Sequence, residues 1–371
     1  MHVVLDARTA TDHFPGIGRY VVNLAKALKR IAPDLPLSLF HEPSAKGGRL
    51  ALPNLPLNPC SVSPFSIRQQ WILPRQLREK QATLYHSPYY LMPYRPGIPT
   101  VVTFYDMIPL VHPKFFSPSQ RLLFRGTHLL ASRAATCIIA VSEATRADLI
   151  RHIRVPREKI VVIPLGVDGH FHPRGREEII QVRRKYGLPE NYLLYVGTNK
   201  PHKNLERLVD AIRRMETTLP SHVKLVIAGP WDRRYDGAKK VANAAGLKDR
   251  VQFVGRIDEA DLPALYSCAL LFVFPSLREG FGLPVLEAMA CGTPVVCSNG
   301  SALSEVAGEA AYLINPEDTH HLADGIDRVL GDEDLRHELA ERGLKRAKLF
   351  TWEKTAEKTL TLYDHVLNRI R

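Results

Sequence analysis

Residues 275–292 read PSLREGFGLPVLEAMACG and follow an apolar run that ends at Phe274. An apolar run, a glycine-bearing loop and a helical pattern predict a strand, a loop and a helix, the order typical of parallel sheets. Pro284 suits the first helical position, and Gly292 suits the end of a helix of about two turns. The start of such a helix offers unpaired N–H groups and a positive dipole end, which favour a diphosphate.

Two glutamates lie in this segment, Glu279 in the loop and Glu287 in the helix, so they do not share one helical face. A carboxylate one turn above a phosphate site can accept hydrogen bonds from the vicinal hydroxyls of a ribose. The loop carboxylate is then free to hold sugar hydroxyls. The structural alternative makes Glu287 a surface residue and Glu279 a capping residue, but their combination with Gly280, Gly282 and Pro284 favours a ligand site.

The same alternation of apolar runs and amphipathic segments extends along all 371 residues. It predicts strands at residues 2–7, 36–41, 83–86, 100–105, 136–141, 159–164, 192–196, 223–228, 251–254, 270–274, 294–298 and 311–314. Strands alternating with helices indicate βαβ units. With about six strands in each half, we expect two doubly wound Rossmann-like α/β domains facing a central cleft, not one large sheet. The first domain is predicted to end at Asp168, just before the Pro- and Gly-bearing residues 173–176.

Composition narrows the class of protein. The five cysteines lack C-x-x-C spacing, which disfavours a disulfide framework or a zinc site and fits a reducing compartment. The N-terminus lacks the basic and apolar regions of a signal peptide, and the longest apolar run, 268–274, is too short to span a bilayer. We therefore expect a cytoplasmic protein.

The net charge of +12 is unevenly distributed: residues 1–170 hold 21 Lys and Arg against 10 Asp and Glu, and the remainder hold 29 against 28. A basic half indicates contact with nucleic acid, a phosphorylated acceptor or an anionic membrane surface. A basic solvated surface without a single partner is the alternative. Because the basic residues lack interleaved aromatics and a reading motif, we expect no nucleic acid partner.

Two further segments follow predicted strands. Residues 195–205 read YVGTNKPHKNL, which places Lys203 just before a helix, where an ammonium can neutralise phosphate oxygens. A solvated loop lysine is the alternative, and the spacing is not that of a P-loop. Residues 14–20 read FPGIGRY, in which Gly16 and Gly18 suggest close backbone approach to a ligand before a helix. The dinucleotide spacing lacks its third glycine, which disfavours a nicotinamide site.

Glu279 and Glu287, within EGFGLPVLEAMACGTPV, resemble the signature of retaining glycosyltransferase family 4, which has the GT-B fold. The resemblance extends over essentially the whole chain, with supporting segments in family order at residues 16–20, 106–109, 141–143, 166–168 and 197–205. The combination of GIGRY with GTNKPHKNL is similar to bacterial mannosyltransferases of surface polysaccharide assembly.

The resemblance implies a role for each domain and for individual residues. Residues 1–168 would form the acceptor-side domain, and a C-terminal helix at 353–371 would cross back to join it. Residues 169–352 would bind the nucleotide sugar. Lys203 would contact the diphosphate, Glu287 the ribose, and Glu279 the donor sugar. Catalytic roles fall to Glu279, Lys203 and Asp106. The implied donor-binding set is Gly16, Gly18, Arg19, Thr198, Lys203, Arg256, Ile257, Glu279, Gly280, Phe281, Gly282, Leu283 and Glu287.

The sequence departs from the family at three positions, one of which is His202, where relatives of this kind often carry an arginine. Thr198 stands where many relatives carry an arginine, so Arg19 or Arg278 would have to supply that charge. Tyr105 stands where the family usually has a histidine. His86 and His112 are the candidates to replace it, although a structural role is favoured for both.

The resemblance also implies the reaction. We expect a hexosyltransferase that retains anomeric configuration, uses no cofactor other than its donor substrate, and needs no metal, since no pair of the DxD type follows a strand. GDP-mannose is the expected donor and a UDP-hexose the alternative. The acceptor would be a saccharide or a lipid-linked saccharide near the inner face of the membrane. A glycosyl phosphorylase or an epimerase of the same architecture is a further alternative.

Overall fold

The computed structural model describes residues 1–11, 15–43 and 54–368. The chain forms two compact units, the first comprising Met1–Gly166 with Thr351–Arg371 and the second Val167–Phe350. The chain crosses from one unit to the other twice, at residues 166–167 and 350–351. The Val167 N–H, next to the first crossing, donates to the carbonyl of Phe350, next to the second, at 3.0 Å. The sequence had placed these boundaries after Asp168 and Trp352. Phe14 and residues 369–371, which belong to predicted segments, lie outside the described residues.

The first unit contains a sheet of seven parallel strands in the order β3-β2-β1-β4-β5-β6-β7. The strands are β1 (Val3–Asp6), β2 (Leu37–His41), β3 (Leu57–Pro59), β4 (Leu84–Ser87), β5 (Thr100–Phe104), β6 (Cys137–Ala140) and β7 (Ile160–Val162). Six of them match predicted runs. The seventh strand, β3, was not predicted, because it is an edge strand of three residues that contains Pro59 and buries only Asn58.

Helices cover both faces of this sheet. They are α1 (Pro15–Ile31), α2 (Gln69–Glu79), α3 (Ile108–Val111), α4 (Pro118–Ala134), α5 (Glu143–Asp148) and α14 (Trp352–Asn368), numbered in chain order with those of the second unit. Two successive residues of β4, Tyr85 and His86, point to opposite faces of the sheet. Tyr85 packs in the same core as Leu73 of α2, Ala131 of α4 and residues after α5. The neighbouring His86 points to the other face.

The helix α14 closes that other face by packing against α1. The Nδ1 atom of His86 lies 2.6 Å from the Tyr363 hydroxyl of α14. Arg30 of α1 also contacts Glu353 at 2.5 Å. The final helix therefore belongs to the first unit, as the resemblance implied.

The second unit contains six parallel strands in the order β10-β9-β8-β11-β12-β13. These are β8 (Asn191–Val196), β9 (Val223–Ala228), β10 (Val251–Gly255), β11 (Leu271–Phe274), β12 (Val295–Ser298) and β13 (Tyr312–Ile314). Its helices are α6 (Arg176–Tyr186), α7 (Leu205–Arg214), α8 (Gly237–Ala244), α9 (Leu262–Ser267), α10 (Leu283–Ala290), α11 (Ser301–Ala307), α12 (Thr319–Gly331) and α13 (Glu333–Ala347). Strand order reverses between β8 and β11, and open α/β sheets bind ligands beyond the carboxyl ends of strands at such a point. Both units thus have the predicted Rossmann-like class of fold.

No helix in the described part of the chain is both long enough and apolar enough to cross a membrane.

Candidate active site

Two loops meet at the carboxyl ends of β8 and β11. The strands pair directly, with Leu193 opposite Leu271 and Leu194 opposite Phe272, so the loops that follow them emerge side by side. The Lys203 Nζ atom lies 2.7 Å from the Glu279 Oε1 atom. Two segments that the sequence singled out separately are therefore brought together at the point where strand order reverses.

The Lys203–Glu279 ion pair is largely buried, with 15% and 12% of the two side chains exposed. Burial by itself raises the pKa of the Glu279 carboxyl, but attraction to Lys203 and His202 and the hydrogen bond from Lys203 outweigh it, so the pKa lies below 4.5. The ammonium also lies 5.1 Å from the centre of the Phe274 ring. Glu279 is therefore an anion at neutral pH, and Lys203 is not the solvated loop lysine of the structural alternative.

Asn204 holds the Lys203 loop against its neighbours. Its backbone is left-handed, with φ of 63°, and its buried amide donates to the carbonyls of Pro275 at 3.0 Å and Pro316 at 2.7 Å. The Leu277 N–H donates to the His202 carbonyl at 2.8 Å. Asn204 thus joins the loops after β8, β11 and β13. No local sequence pattern predicts this role.

The loop that carries Glu279 is held from α11. The Glu279 N–H donates to the Ser301 hydroxyl at 3.2 Å, and Ser301 itself has a left-handed φ of 59°. Gly282 has φ of 110°, a conformation that favours glycine, and a Cβ atom there would also require the end of the Leu303 side chain, 2.6 Å away, to move. No pattern in the sequence identified Ser301, because it lies beyond the next strand.

Glu287 lies one turn into α10 and is buried, with 4% of the residue exposed. The Tyr266 hydroxyl donates to its Oε2 atom at 2.9 Å. Burial excludes the reading of Glu287 as a surface residue of the helix. Helix α10 begins at Leu283, so Pro284 occupies its second position rather than the predicted first. Pro tolerates either position because neither N–H has a partner within the helix.

The remaining candidates of the second unit surround these loops. Thr198 is half-buried, and its carbonyl accepts from the Tyr195 hydroxyl at 2.8 Å. Just before it, Gly197 passes so close to Gly229 that a Cβ atom on Gly229 would lie 2.0 Å from the Gly197 oxygen. Arg256 is exposed after the edge strand β10. The other predicted donor contacts are half-buried Gly280, buried Phe281, half-buried Leu283 and buried Ile257.

The first unit holds a separate group of candidates. Gly16, Gly18 and Arg19 lie within α1, which begins at Pro15, so the prediction of a glycine loop before the helix was wrong. Proline has a helical φ and glycine is tolerated where N–H groups lack partners, so the helix starts before the glycines. Gly16 and Asp106 line one pocket of about 350 Å³. Its other lining residues are Ile17, Tyr89, Tyr90, Thr103, Phe104, Tyr105, Phe124 and His128.

Asp106 and the candidate histidines have defined surroundings. The Asp106 carboxylate accepts from the Ile108 N–H at 3.0 Å, at the start of α3. The Tyr105 hydroxyl is buried without a hydrogen-bond partner in the described chain. His86 is buried in the core between Tyr363 and Thr103, and burial lowers its pKa to about 3. His86 therefore has the structural role, and the ring of His112 packs against Phe115.

Two family models of known proteins match the chain, each over most of one of the two units. Residues 15–170 match the family model for Glycosyltransferase Family 4, and residues 176–346 match that for Glycosyl transferases group 1. The chain therefore belongs to the family 4 type of glycosyltransferases with the GT-B fold.

Individual relatives support the same family. The chain is 32% identical to the O-antigen chain mannosyltransferase B of Escherichia coli over 94% of this chain and 95% of that protein. It is 30% identical to the serotype-specific mannosyltransferase WbdA of Escherichia coli over 72% of this chain and 34% of that longer protein. The solved structure of sucrose-phosphate synthase (tll1590) from Thermosynechococcus elongatus is similar over 100% of both chains, with a TM-score of 0.79 and 25% identity.

Proposed function

We propose that this glycosyltransferase transfers mannose from GDP-mannose, with retention, to a saccharide or lipid-linked saccharide acceptor in cell-surface polysaccharide synthesis. The observation that carries the proposal is the Lys203–Glu279 pair beside α10, where β8 and β11 end. The relatives named as O-antigen and serotype-specific mannosyltransferases support mannose. We place the reaction in the cytoplasm.

The donor would occupy the loops after β8, β10 and β11. Its diphosphate would lie against the Lys203 ammonium and the N–H groups at the start of α10, near Leu283. Glu287 would accept hydrogen bonds from the ribose hydroxyls, and the loop of Arg256 would border the base. Because Glu287 is buried with Tyr266, donor binding would require a small rearrangement of this side chain or of the loop above it.

The chemistry would depend on stabilising the leaving group. The bond from the anomeric carbon to the diphosphate oxygen breaks, the bond to the acceptor oxygen forms, and the acceptor proton passes to the departing diphosphate on the same face. Negative charge develops on the diphosphate, where the partly dehydrated ammonium of Lys203 stabilises it more than water would. The Glu279 carboxylate would hold donor sugar hydroxyls and favour positive charge on the ring.

The first unit would supply the acceptor side. Gly16, Gly18 and Arg19 lie at the start of α1, and the pocket beside Gly16 combines tyrosine rings with the Asp106 carboxylate. Aromatic rings and a carboxylate are suited to the apolar face and the hydroxyls of a sugar. Asp106 would orient an acceptor hydroxyl there.

Donor identity is tested by melting the protein in the presence of GDP, UDP, ADP and their sugars, because a ligand of the folded state raises Tm. We expect the largest rise with GDP and GDP-mannose, and a product whose anomeric configuration by NMR matches the donor. A rise with UDP sugars and none with GDP sugars would replace the donor with a UDP-hexose. Turnover that requires inorganic phosphate, or that converts the donor without an acceptor, would instead indicate a phosphorylase or an epimerase.

A further inference from the structure

One side of the first unit is built from α2, α4 and α5. Leu73 and Leu77 of α2, Ala131 of α4, and Leu149 and Ile153 just after α5 pack in one core on the same face of the sheet. The outer surfaces of the three helices consequently lie on one side of this unit. We call this side the helical face.

The segment that contains the three helices carries most of the positive charge of residues 1–170. Residues 68–159, which contain all three helices, hold 14 Lys and Arg against 5 Asp and Glu, a balance of +9 of the +11 in residues 1–170. Arg68, Arg75 and Arg78 are exposed at helical spacing along α2. Two of the acidic residues, Glu79 and Glu143, pair with Arg75 and Arg146, and the balance of +9 already includes these pairs.

The same face exposes large apolar side chains. Six of the nine large hydrophobic residues that are exposed in the described chain lie on α2, the loop before it, or α4. They are Phe65 (59% exposed), Ile67 (70%), Trp71 (67%), Leu122 (74%), Leu123 (68%) and Leu130 (44%). Single exposed hydrophobic residues are ordinary, but six of them, beside exposed arginines, on or just before helices that cover one face of a sheet indicate an interaction surface.

The placement of Trp71 is informative. The inward residues of α2 are Gln69, Leu73 and Leu77, and Trp71 lies on the outer side between Arg68 and Arg75. Tryptophan beside arginine is typical of elements at a membrane–water interface, where the ring enters the head-group layer and the cation meets lipid phosphate. Aliphatic side chains such as Leu122 and Leu123 offer little to a nucleic acid backbone, but they can enter the acyl region.

We propose that the helical face docks on an anionic lipid bilayer, with Trp71 and its apolar neighbours inserted and the arginines on lipid phosphates. Arg146, Arg151 and Arg157, with one acidic residue, Glu143, also line a depression of about 280 Å³ at α5 and the residues after it, where positive charge is in excess. The proposal depends on neither the donor nor the acceptor proposed above. It places the first unit against the surface on which a lipid-linked saccharide would be presented.

Co-sedimentation with vesicles tests the charge component. The full chain should bind phosphatidylcholine vesicles that contain phosphatidylglycerol, bind pure phosphatidylcholine much more weakly, and lose affinity as salt shortens the Debye length from about 10 Å at 0.1 M. Because each basic residue near such a surface contributes about 1 kcal/mol, Arg68→Glu with Arg75→Glu should lower affinity at least about tenfold. The matched control is Arg184→Glu on α6 of the second unit, which should bind as the wild type does.

The apolar component needs its own variants. Ile67→Ser with Trp71→Ser should weaken binding about tenfold, whereas Leu349→Ser, which is 54% exposed in the second unit, should not. Brominated lipids should quench tryptophan fluorescence in the wild type and in Leu349→Ser, but not in Trp71→Phe. A melting temperature close to that of the wild type, measured without ligand, shows that each variant remains folded.

Three outcomes would overturn the proposal. Equal binding to neutral and anionic vesicles would contradict the attraction of the arginines to lipid phosphates. Unchanged quenching in Trp71→Phe would contradict the insertion of Trp71 into the bilayer. Sedimentation showing that the wild type self-associates through this face, with Trp71→Ser monomeric and no vesicle binding, would assign the face to a protein contact. Failure of donor binding in the wild type would affect the proposed function and leave this result intact.

Discussion

The Tyr266 hydroxyl donates to the Glu287 carboxylate at 2.9 Å inside the second unit. A buried carboxylate held by a tyrosine has a defined orientation, as a ribose-binding group requires. We expect Glu287→Ala to lower kcat/KM for the donor by about 10² or more, because the proposed hydrogen bonds to the ribose would be lost. Tyr266→Phe should keep the carboxylate but loosen it, raising the donor KM about tenfold with a smaller change in kcat.

The matched control for the Tyr266→Phe variant is Tyr192→Phe. Tyr192 is also buried, but its hydroxyl donates to the Leu265 carbonyl at 2.7 Å and does not contact Glu287. It should lose stability to a similar extent without a change in donor KM. Equal KM values for Tyr266→Phe and Tyr192→Phe would mean that Tyr266 has a structural role only.

Replacing Lys203 tests the proposed stabilisation of the leaving group. We expect Lys203→Ala to lower kcat/KM by about 10²–10³, since the charge that develops on the diphosphate loses its cation. The pKa of Glu279 should also rise, because the nearest positive charge is removed while the carboxyl stays buried. The acidic limb of the pH–rate profile should therefore move to higher pH in this variant.

Lys200 provides the control, since it is an exposed lysine of the same loop. Lys200→Ala should keep the wild-type rate and pH profile. A Lys203→Ala enzyme with near-normal transfer at sub-saturating donor would contradict the assignment of Lys203 to the diphosphate.

The site was only partly predictable from sequence. Apolar runs, turn residues and helix signals were enough to place Lys203 after one strand and Glu279 after another. Their contact depends on β8 and β11 being neighbours, and sequence order does not reveal this, because β9 and β10 lie between them in the chain. Ser301 and Tyr266 were missed for the same reason. Each reaches the site through tertiary packing, and neither residue type carries a local signal.

The errors in the fold prediction, at β3 and at the start of α1, have local causes. The edge strand β3 is too short to show periodicity and contains a proline, which disfavours a strand. The glycines of α1 indicated a loop, but a helix that starts at Pro15 tolerates them in its first turn. In both cases the local sequence signal was too short or too ambiguous to identify the element.

Asn204 should be a positioning residue whose loss affects stability and donor binding together. Asn204→Gly keeps the left-handed backbone but leaves the Pro275 carbonyl without its amide partner, at a cost of about 1–3 kcal/mol. Asn204→Asp should cost more, because a carboxylate would face two carbonyl oxygens. Urea unfolding measures both, and the donor KM should rise in the same order. If Asn204→Asp is as stable as the wild type, the amide does not hold these loops.

Acid should destabilise the first unit through two buried histidines. Burial lowers the pKa of both His86 and His128 to about 3, below the ordinary value of 6.5. Between those values the unfolded chain binds protons that the folded chain does not, so the free energy of unfolding falls as pH drops below 6.5. Each histidine should lower the free energy of unfolding by about 2 kcal/mol between pH 7 and pH 5, because the slope of about 1.4 kcal/mol per pH unit applies only below pH 6.5.

The variant His128→Phe separates the contribution of His128 to acid destabilisation from that of His86. The His128 ring stacks on Phe124 with centroids 3.8 Å apart, so a phenyl ring suits the same space. At pH 7 the variant should unfold at a urea concentration close to that of the wild type. At pH 5 it should be the more stable protein by about 2 kcal/mol, because only His86 remains to be protonated on unfolding. Identical losses of stability in the two proteins between pH 7 and pH 5 would show that His128 is already protonated in the folded state, against the burial that lowers its pKa.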